Sequence, residues 1–235
     1  MENIVVLGLS RARVIKRASV AACLWVFALT SALSQQPPAF ALKPVGPWIP
    51  FWLHVDGSGR GDFLIERSTN LLLWEPYLHV YHQVPSFDVL DRDTFEQVAP
   101  IRLYGVFRQA LTPSEMKTNW ARLDMKRYRF TFKRTCFDCG SIAGTVTVQD
   151  ERVVSVENAF DPLDPGRGIE NPDITQFKSV EELFEVISRS LSDSELVLVR
   201  LDDTLHFPRW ISVDKVYRVT DDATFYDVTD LVRLN

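Results

Sequence analysis

The sequence predicts an α+β fold for its C-terminal half, in which an antiparallel β-sheet carries two helices packed on one face. Two helix-start signatures, each followed by apolar residues at helical spacing, predict the helices. Between and after them, short segments alternate apolar and polar residues, as half-buried strands do. The strands are joined by short connections, which favour antiparallel pairing. The predicted order over residues 112–235 is α-β-β-β-α-β-β-β.

The first helix is predicted to begin after Thr112, because Thr112 and Glu115 have the residue types and spacing of a capping box. A proline occupies the first helical position, where it is well tolerated. Apolar residues at positions i, i+4 and i+7 would share one face: Met116, Trp120 and Leu123. Residues 128–134 then alternate strictly and predict a half-buried strand with three aromatic residues inward: Tyr128, Phe130 and Phe132.

Two further strands, residues 144–148 and 153–156, are predicted on either side of a four-residue turn. Residues 160–177 follow as a loop that contains three prolines and two glycines. Ser179 and Glu182 form a second capping-box pattern, which opens a helix with apolar residues at helical spacing. The last three strands are predicted at residues 195–201, 209–213 and 224–228.

Residues 63–111 are predicted to form a small β-rich segment, with strands at 77–82 and 102–108. On the first of these strands His79 and His82 face opposite ways, so they are not expected to share a metal ion. We expect them to be surface or interface histidines. Within the same segment, residues 91–96 resemble the turn of the small repeat family called DKNYY.

Residues 42–62 are predicted to form an arm and linker, because prolines interrupt them and a Gly-Ser-Gly-Arg-Gly run ends them. Three aromatic residues in the arm make an apolar segment that is a candidate contact for a partner: Trp48, Phe51 and Trp52.

Residues 1–41 are predicted to be a secretory signal sequence. Four basic residues near positions 11–17 precede an uncharged run at 18–33 that is rich in apolar and small residues. This run is short for a membrane span, which needs about 20 apolar residues. Ala39-Phe40-Ala41 is the expected cleavage signature, with Ala32-Leu33-Ser34 as an earlier option, and an uncleaved anchor is the alternative. The protein is therefore expected to be exported, to the periplasm, cell envelope or extracellular space, and to meet the membrane only through an uncleaved signal.

The charge of the chain argues against nucleic acid as a partner. The formal net charge is −5, and removal of residues 1–41, which carry +3, would make it −8. General nucleic-acid binding requires cationic neutralisation of phosphates.

Cys136 and Cys139 are the cysteines that remain after the signal, and an even number in an oxidising compartment suits one disulfide. They lie between two predicted strands, whereas a redox C-x-x-C motif uses a helix N-terminus to activate one thiol. We therefore predict a structural disulfide at the tip of a hairpin. Zinc is not expected, because two cysteines need two further ligands that the sequence does not offer.

No other motif identifies a cofactor, a metal or a catalytic residue. The acidic run 161–170 lacks the ligand spacing of a calcium loop and is expected to be a solvated loop. The sequence contains no G-x-S-x-G, P-loop or G-x-G-x-x-G pattern.

The chain from Thr112 onward resembles a family of bacterial exported proteins and lipoproteins that is known only as a domain of unknown function. Features that match in order include Tyr128-x-Phe-x-Phe before Cys136, Ser179-Val-Glu-Glu-Leu-Phe184 and Pro208-Arg-Trp-Ile-Ser-Val-Asp214. In that family one residue usually separates the two cysteines, whereas two residues do so here. The resemblance implies export and an α+β fold, and it transfers no catalytic residue.

Three functional hypotheses follow. The leading one is a non-enzymatic binding or envelope-associated module that contacts an unknown protein or envelope partner through its sheet face or its aromatic arm. The second is an exported hydrolase whose carboxylates meet only in three dimensions, and a deep pocket with two or more strongly shifted carboxylates would favour it. The third is a thiol–disulfide protein that uses Cys136 and Cys139.

Overall fold

The structure is a computed structural model that describes residues 39–43, 52–56, 61–70, 72–90, 103–136, 139–217, 219 and 222–235. For residues 39–43, 52, 53, 56, 90 and 103–108 it describes the backbone alone. Much of the signal sequence, the DKNYY-like run 91–96, and Trp48 and Phe51 of the arm lie outside the described residues, and so does the side chain of Trp52. In the part of the chain that is described, no helix is both long and apolar enough to span a membrane.

The described elements follow one another in this order: β1 (Ala39–Lys43), β2 (Trp52–Asp56), β3 (Gly61–Ser68), β4 (Glu75–His82), β5 (Ser86–Leu90), β6 (Leu103–Arg108), α1 (Pro113–Ala121), β7 (Arg127–Cys136), β8 (Ile142–Gln149), β9 (Arg152–Asp161), β10 (Asp164–Gly168), a 3₁₀ turn (Ile174–Gln176), α2 (Val180–Asp193), β11 (Leu196–Leu201), β12 (Pro208–Asp214) and β13 (Thr224–Arg233). They divide into two compact units. The chain passes from one unit to the other between β2 and β3, within β3, at the start of β4, between β4 and β5, and after β6.

The first unit contains an antiparallel sheet in the order β1-β2-β5. His54 on β2 lies opposite Asp88 on β5, and its Nδ1 atom is 2.6 Å from a carboxylate oxygen of Asp88. The side chains of Val55, Phe87 and Val89 are buried beside this pair. The unit therefore has apolar packing of its own.

The second unit contains antiparallel strands in the order β10-β9-β8-β7-β13-β12-β11-β4. Its core is one hydrophobic cluster in which buried residues of both helices meet aromatic residues of β7. Met116 and Trp120 come from α1, and Leu183, Phe184 and Ile187 come from α2. Tyr128, Phe130 and Phe132 of β7 are at most 1% exposed, as their alternation predicts. The prediction of an antiparallel sheet with two helices is confirmed.

Both capping boxes are present. Thr112 Oγ1 accepts a hydrogen bond from the Glu115 amide at 3.2 Å, and the Glu115 carboxylate accepts one from the Thr112 amide at 2.8 Å. Ser179 and Glu182 repeat the arrangement at 3.2 and 2.8 Å. Each box satisfies backbone amides that a helix start leaves without intrahelical partners. The helix starts are therefore where the sequence predicts them, although α1 ends at Ala121, before Leu123.

Two expectations are wrong. Residues 160–177 are not a plain loop, because the end of β9, the strand β10 and a 3₁₀ turn occupy most of them. His79 and His82 are also not surface residues, since they are only 4% and 6% exposed. Every residue of β4 from Tyr77 to His82 is buried, so this strand is covered on both faces.

Candidate functional site

One face of the strands β9, β8, β7 and β13 is open to solvent. On β7 the buried aromatic residues alternate with exposed Arg127, Arg129 and Lys133 and with half-buried Thr131. On β8 buried Val146 and Val148 alternate with half-buried Thr145 and Thr147 and exposed Gln149. Because side chains directly opposite one another in a sheet point to the same face, these polar residues form one surface, which we call the open face.

The strand register arranges the open face in rows that run across the strands. One row carries Arg152, Gln149 and Arg127, and the next carries Ser155, Thr147, Arg129 and Val232. A third row carries Glu157, Thr145, Thr131 and Thr229. Three arginines therefore meet at one end of the open face, and we call Arg127, Arg129 and Arg152 the arginine end.

Among the described residues, no carboxylate side chain forms an ion pair with the arginine end. The side chains of Arg129 and Arg152 are exposed and have no hydrogen-bond or ion-pair partner among the described residues. Arg127 donates from Nη1 to the backbone carbonyl of Asn235 at 3.3 Å, which leaves its other guanidinium donors for a ligand. Since an exposed guanidinium presents a planar fork of N–H donors, the arginine end is suited to bind oxyanions.

Acidic residues of the open face lie farther along the strands. Asp230 occupies an irregularity in β13, and its carboxylate accepts hydrogen bonds from the hydroxyls of Thr131 at 3.3 Å and Thr229 at 2.9 Å. Asp227 lies opposite Lys133. Carboxylates therefore follow the arginines along the strands, and Asp150 and Glu151 lie in the turn that joins Gln149 to Arg152.

On the helix side of the sheet, Glu181 at the start of α2 joins three elements. Its carboxylate accepts a hydrogen bond from Trp120 Nε1 at 2.6 Å and from the Tyr128 hydroxyl at 2.5 Å. Trp120 and Glu181 border a cleft of about 220 Å³ that Asp124, Asp150 and Glu151 also line. These last three residues have positive φ angles, which non-glycine residues seldom adopt. Because both carboxylate oxygens of Glu181 accept hydrogen bonds from core residues, we interpret Glu181 as a structural residue that connects α1 and α2 to β7.

A second pocket, of about 310 Å³, is bordered by Asp62, Tyr81, His82 and Ser194 among others. Burial raises the pKa of Asp62, and the charge of His82 opposes that shift. His79 is not among its lining residues. Burial lowers the pKa of His79 to about 4, and its Nδ1 accepts a hydrogen bond from the Leu111 amide at 3.2 Å. His79 is therefore a neutral histidine inside the fold.

A carboxylate pair lies at the turn between β12 and β13. Burial, and then the neighbouring charge of Asp222, raise the pKa of Asp214 from 3.8 to about 6. Asp222 accepts a hydrogen bond from the Val216 amide at 2.7 Å, and Glu195 accepts one from the Tyr217 amide at 2.9 Å. Asp214 borders neither described pocket, so it and Asp62 do not form the shared carboxylate site that the hydrolase hypothesis requires.

Cys136 and Cys139 form a disulfide with a Cα–Cα distance of 5.4 Å. Cys136 is the last residue of β7 and Cys139 precedes β8, so no described helix begins at the pair. Cys136 is buried and accepts a hydrogen bond on its sulfur from the Cys139 amide at 3.1 Å, whereas Cys139 is exposed. The Arg134 guanidinium donates to the carbonyls of Cys139 and Gly140 at 3.3 and 3.4 Å. The bond therefore closes a hairpin tip that a neighbouring arginine also holds.

The arginine end was not predicted from the sequence. A signal for it was visible in β7, where cations occupy alternate positions between the inward aromatic residues. Among the described residues, no group of three or more His, Cys, Asp or Glu side chains is arranged to hold a metal ion.

The fold and the open face define an antiparallel sheet domain with two helices and a polar face that is open to solvent. A family model described as "Family of unknown function (DUF6174)" matches residues 113–233. This match covers slightly more than half of the chain, so the chain belongs to that family. The resemblance seen in the sequence from Thr112 onward is thereby confirmed. No curated protein and no solved structure matches the chain.

Proposed function

We propose that this protein is an exported, non-enzymatic binding module that holds its partner on the open face of its sheet. The observation that carries the proposal is the arginine end, where Arg129 and Arg152 lie exposed without an ion-pair partner among the described residues. Unpaired cations on a rigid strand framework can bind an anionic partner without first breaking internal contacts.

The shape of the surface favours a large partner. A site for a small molecule is usually a concave pocket that buries much of the ligand. The open face has alternating polar residues on adjacent strands, and neither described pocket includes a residue of the arginine end. Affinity must therefore come from several contacts spread over the face.

Export is supported by the order of charge and hydropathy in the first 33 residues and by the cysteine pair.

The strand β1 provides an argument about the position of signal cleavage, because Ala39 to Lys43 all pair with β2. Cleavage after Ala41 would remove three of these five residues, whereas cleavage after Ser34 would leave β1 whole. We therefore expect Gln35 as the mature N-terminus, and the intact mass of the secreted protein measures it. A mass that begins at Leu42 would contradict this expectation.

The binding proposal is tested by affinity capture from the native envelope fraction with the mature protein as bait. The test variant is Arg127→Gln/Arg129→Gln/Arg152→Gln, which removes three positive charges from the arginine end. Surface substitutions of this kind usually change stability by no more than about 0.5 kcal/mol. We expect the captured partner to fall at least about 10-fold for this variant, as loss of several charged contacts implies.

The control variant is Arg122→Gln/Arg209→Gln/Lys215→Gln, which removes three exposed charges outside β7, β8 and β9. Because its net charge equals that of the test variant, it separates the open face from general electrostatics. Equal capture by the wild type and the test variant would refute the proposal. An equal loss of captured partner in the test variant and the control variant would also refute the proposal.

A further inference from the structure

We infer that the ligand of the arginine end is an anionic polysaccharide, an inference that rests on the proposed function of the open face. The chemistry of two neighbouring rows carries it. One row presents Arg152, Gln149 and Arg127, and the other presents Ser155, Thr147 and Arg129. Each row therefore combines cationic side chains with neutral hydrogen-bonding side chains.

The spacing of the arginines suits a chain of anions better than a single anion. Arg127 and Arg129 are two residues apart on one strand, which places their Cα atoms about 7 Å apart at a rise of about 3.4 Å per residue. Arg152 is separated from Arg127 by β8, so two strand spacings of about 4.8 Å put them about 10 Å apart. Three guanidinium groups spread over this distance can each bind a different carboxylate, sulfate or phosphate group of one chain.

The groups between the arginines match sugar hydroxyls. Thr147 and Ser155 offer hydroxyls that both donate and accept, and Gln149 offers an amide with donors and an acceptor. Thr147 and Ser155 are half-buried, so their positions are restrained by the sheet. A polymer that alternates anionic and hydroxyl groups would satisfy both kinds of side chain.

Other anionic macromolecules fit these two rows less well. The core of a protein interface is rich in aromatic and apolar side chains. Here only two isolated valines are exposed, Val232 at the margin of the rows and Val154 between Arg152 and Ser155 on β9. Single-stranded nucleic acid is held through aromatic side chains on which bases stack, and the rows contain no aromatic residue.

The test measures binding of the mature protein to dextran sulfate, with neutral dextran and a DNA duplex of matched charge as comparisons. We expect binding to dextran sulfate and none to neutral dextran. The substitution Arg127→Gln/Arg129→Gln/Arg152→Gln should weaken this binding at least about 10-fold, whereas Arg122→Gln/Arg209→Gln/Lys215→Gln should leave it within about 2-fold. Since three charged contacts are made, affinity should fall roughly 10- to 40-fold between 50 and 200 mM salt.

Three results would overturn the inference. One is the absence of dextran sulfate binding while envelope capture still depends on the arginine end; the proposed function then stands and the ligand class is wrong. Another is DNA binding as tight as dextran sulfate binding, since plain charge attraction would explain both. The last is an equal loss of dextran sulfate binding in the arginine-end variant and the control variant. Loss of arginine dependence in the envelope capture itself would instead refute the proposed function.

Discussion

The hydroxyl of Tyr128 donates a 2.5 Å hydrogen bond to the carboxylate of Glu181 and joins the central strand β7 to the start of α2. The same hydroxyl accepts a hydrogen bond from the Val180 amide at 3.1 Å. Burial and the charge of Glu181 raise the pKa of Tyr128, so the phenol remains a donor at neutral pH. Trp120 on α1 completes the arrangement through its indole N–H. One carboxylate therefore holds both helices against the sheet.

Replacement of Tyr128 by phenylalanine should destabilise the protein by about 1–3 kcal/mol, because Glu181 loses a donor and the Val180 amide loses an acceptor near the protein interior. Urea unfolding at pH 7 measures the change in the free energy of unfolding. Tyr226→Phe is the matched control, since the Tyr226 hydroxyl has no hydrogen bond to another described residue. Equal effects of the two substitutions would contradict the role assigned to Glu181.

His79 should make the protein less stable in mild acid. Its pKa is about 4 in the folded protein, against 6.5 for an unperturbed histidine, so the unfolded chain binds the proton more readily. Stability should therefore fall as the pH is lowered from about 6.5 toward 4, by about 3 kcal/mol at most. His79→Asn keeps an acceptor for the Leu111 amide. In this variant the free energy of unfolding, measured with urea at a series of pH values, should fall less between about pH 6.5 and pH 4. The control is His206→Asn, because His206 is exposed. If stability falls as steeply with pH in His79→Asn as in the wild type, His79 is not the cause of the acid sensitivity.

Asp214 should make the protein less stable as the pH rises, which is the opposite of the effect of His79. Its folded pKa of about 6 lies above the ordinary 3.8, so ionisation disfavours the folded state and stability falls as the pH rises from about 4 through 6. Asp214→Asn should therefore be more stable than the wild type at pH 7.5, by about 1–2 kcal/mol after allowance for solvent screening. The difference should disappear near pH 4. Thermal unfolding at both pH values checks this, with exposed Asp203→Asn as the control; equal melting temperatures at pH 7.5 would count against the carboxylate pair.

The disulfide between Cys136 and Cys139 should stabilise the fold only modestly, because the loop that it closes is very short. In Cys136→Ser/Cys139→Ser the free energy of unfolding should fall by less than the ~3 kcal/mol expected for a disulfide that closes a 15-residue loop. Chemical reduction of the wild type should produce a similar loss in urea unfolding. A structural bond predicts that partner capture survives in the folded variant. Loss of that function with stability unchanged would favour the thiol–disulfide hypothesis instead.

Much of the fold was predictable because its signals are local. Each capping box is a set of contacts within four residues, so Thr112 and Ser179 mark the helix starts in the sequence itself. Tyr128, Phe130 and Phe132 reveal their common face through a period of two. The strand β10 was not predictable, because Asp164–Gly168 is exposed throughout and its few pairs to β9 are irregular.

The sequence by itself determined the family, the two helix starts and the inward side of β7, since each depends on residues close together in the chain. The tertiary structure alone decided that Arg152 joins Arg127 and Arg129, because this meeting requires the register of three strands and the irregularities within β9. It also decided the burial of His79 and the pairing of Asp214 with Asp222. Charge environment and burial depend on distant segments that fold against a residue, and a local pattern carries no information about them.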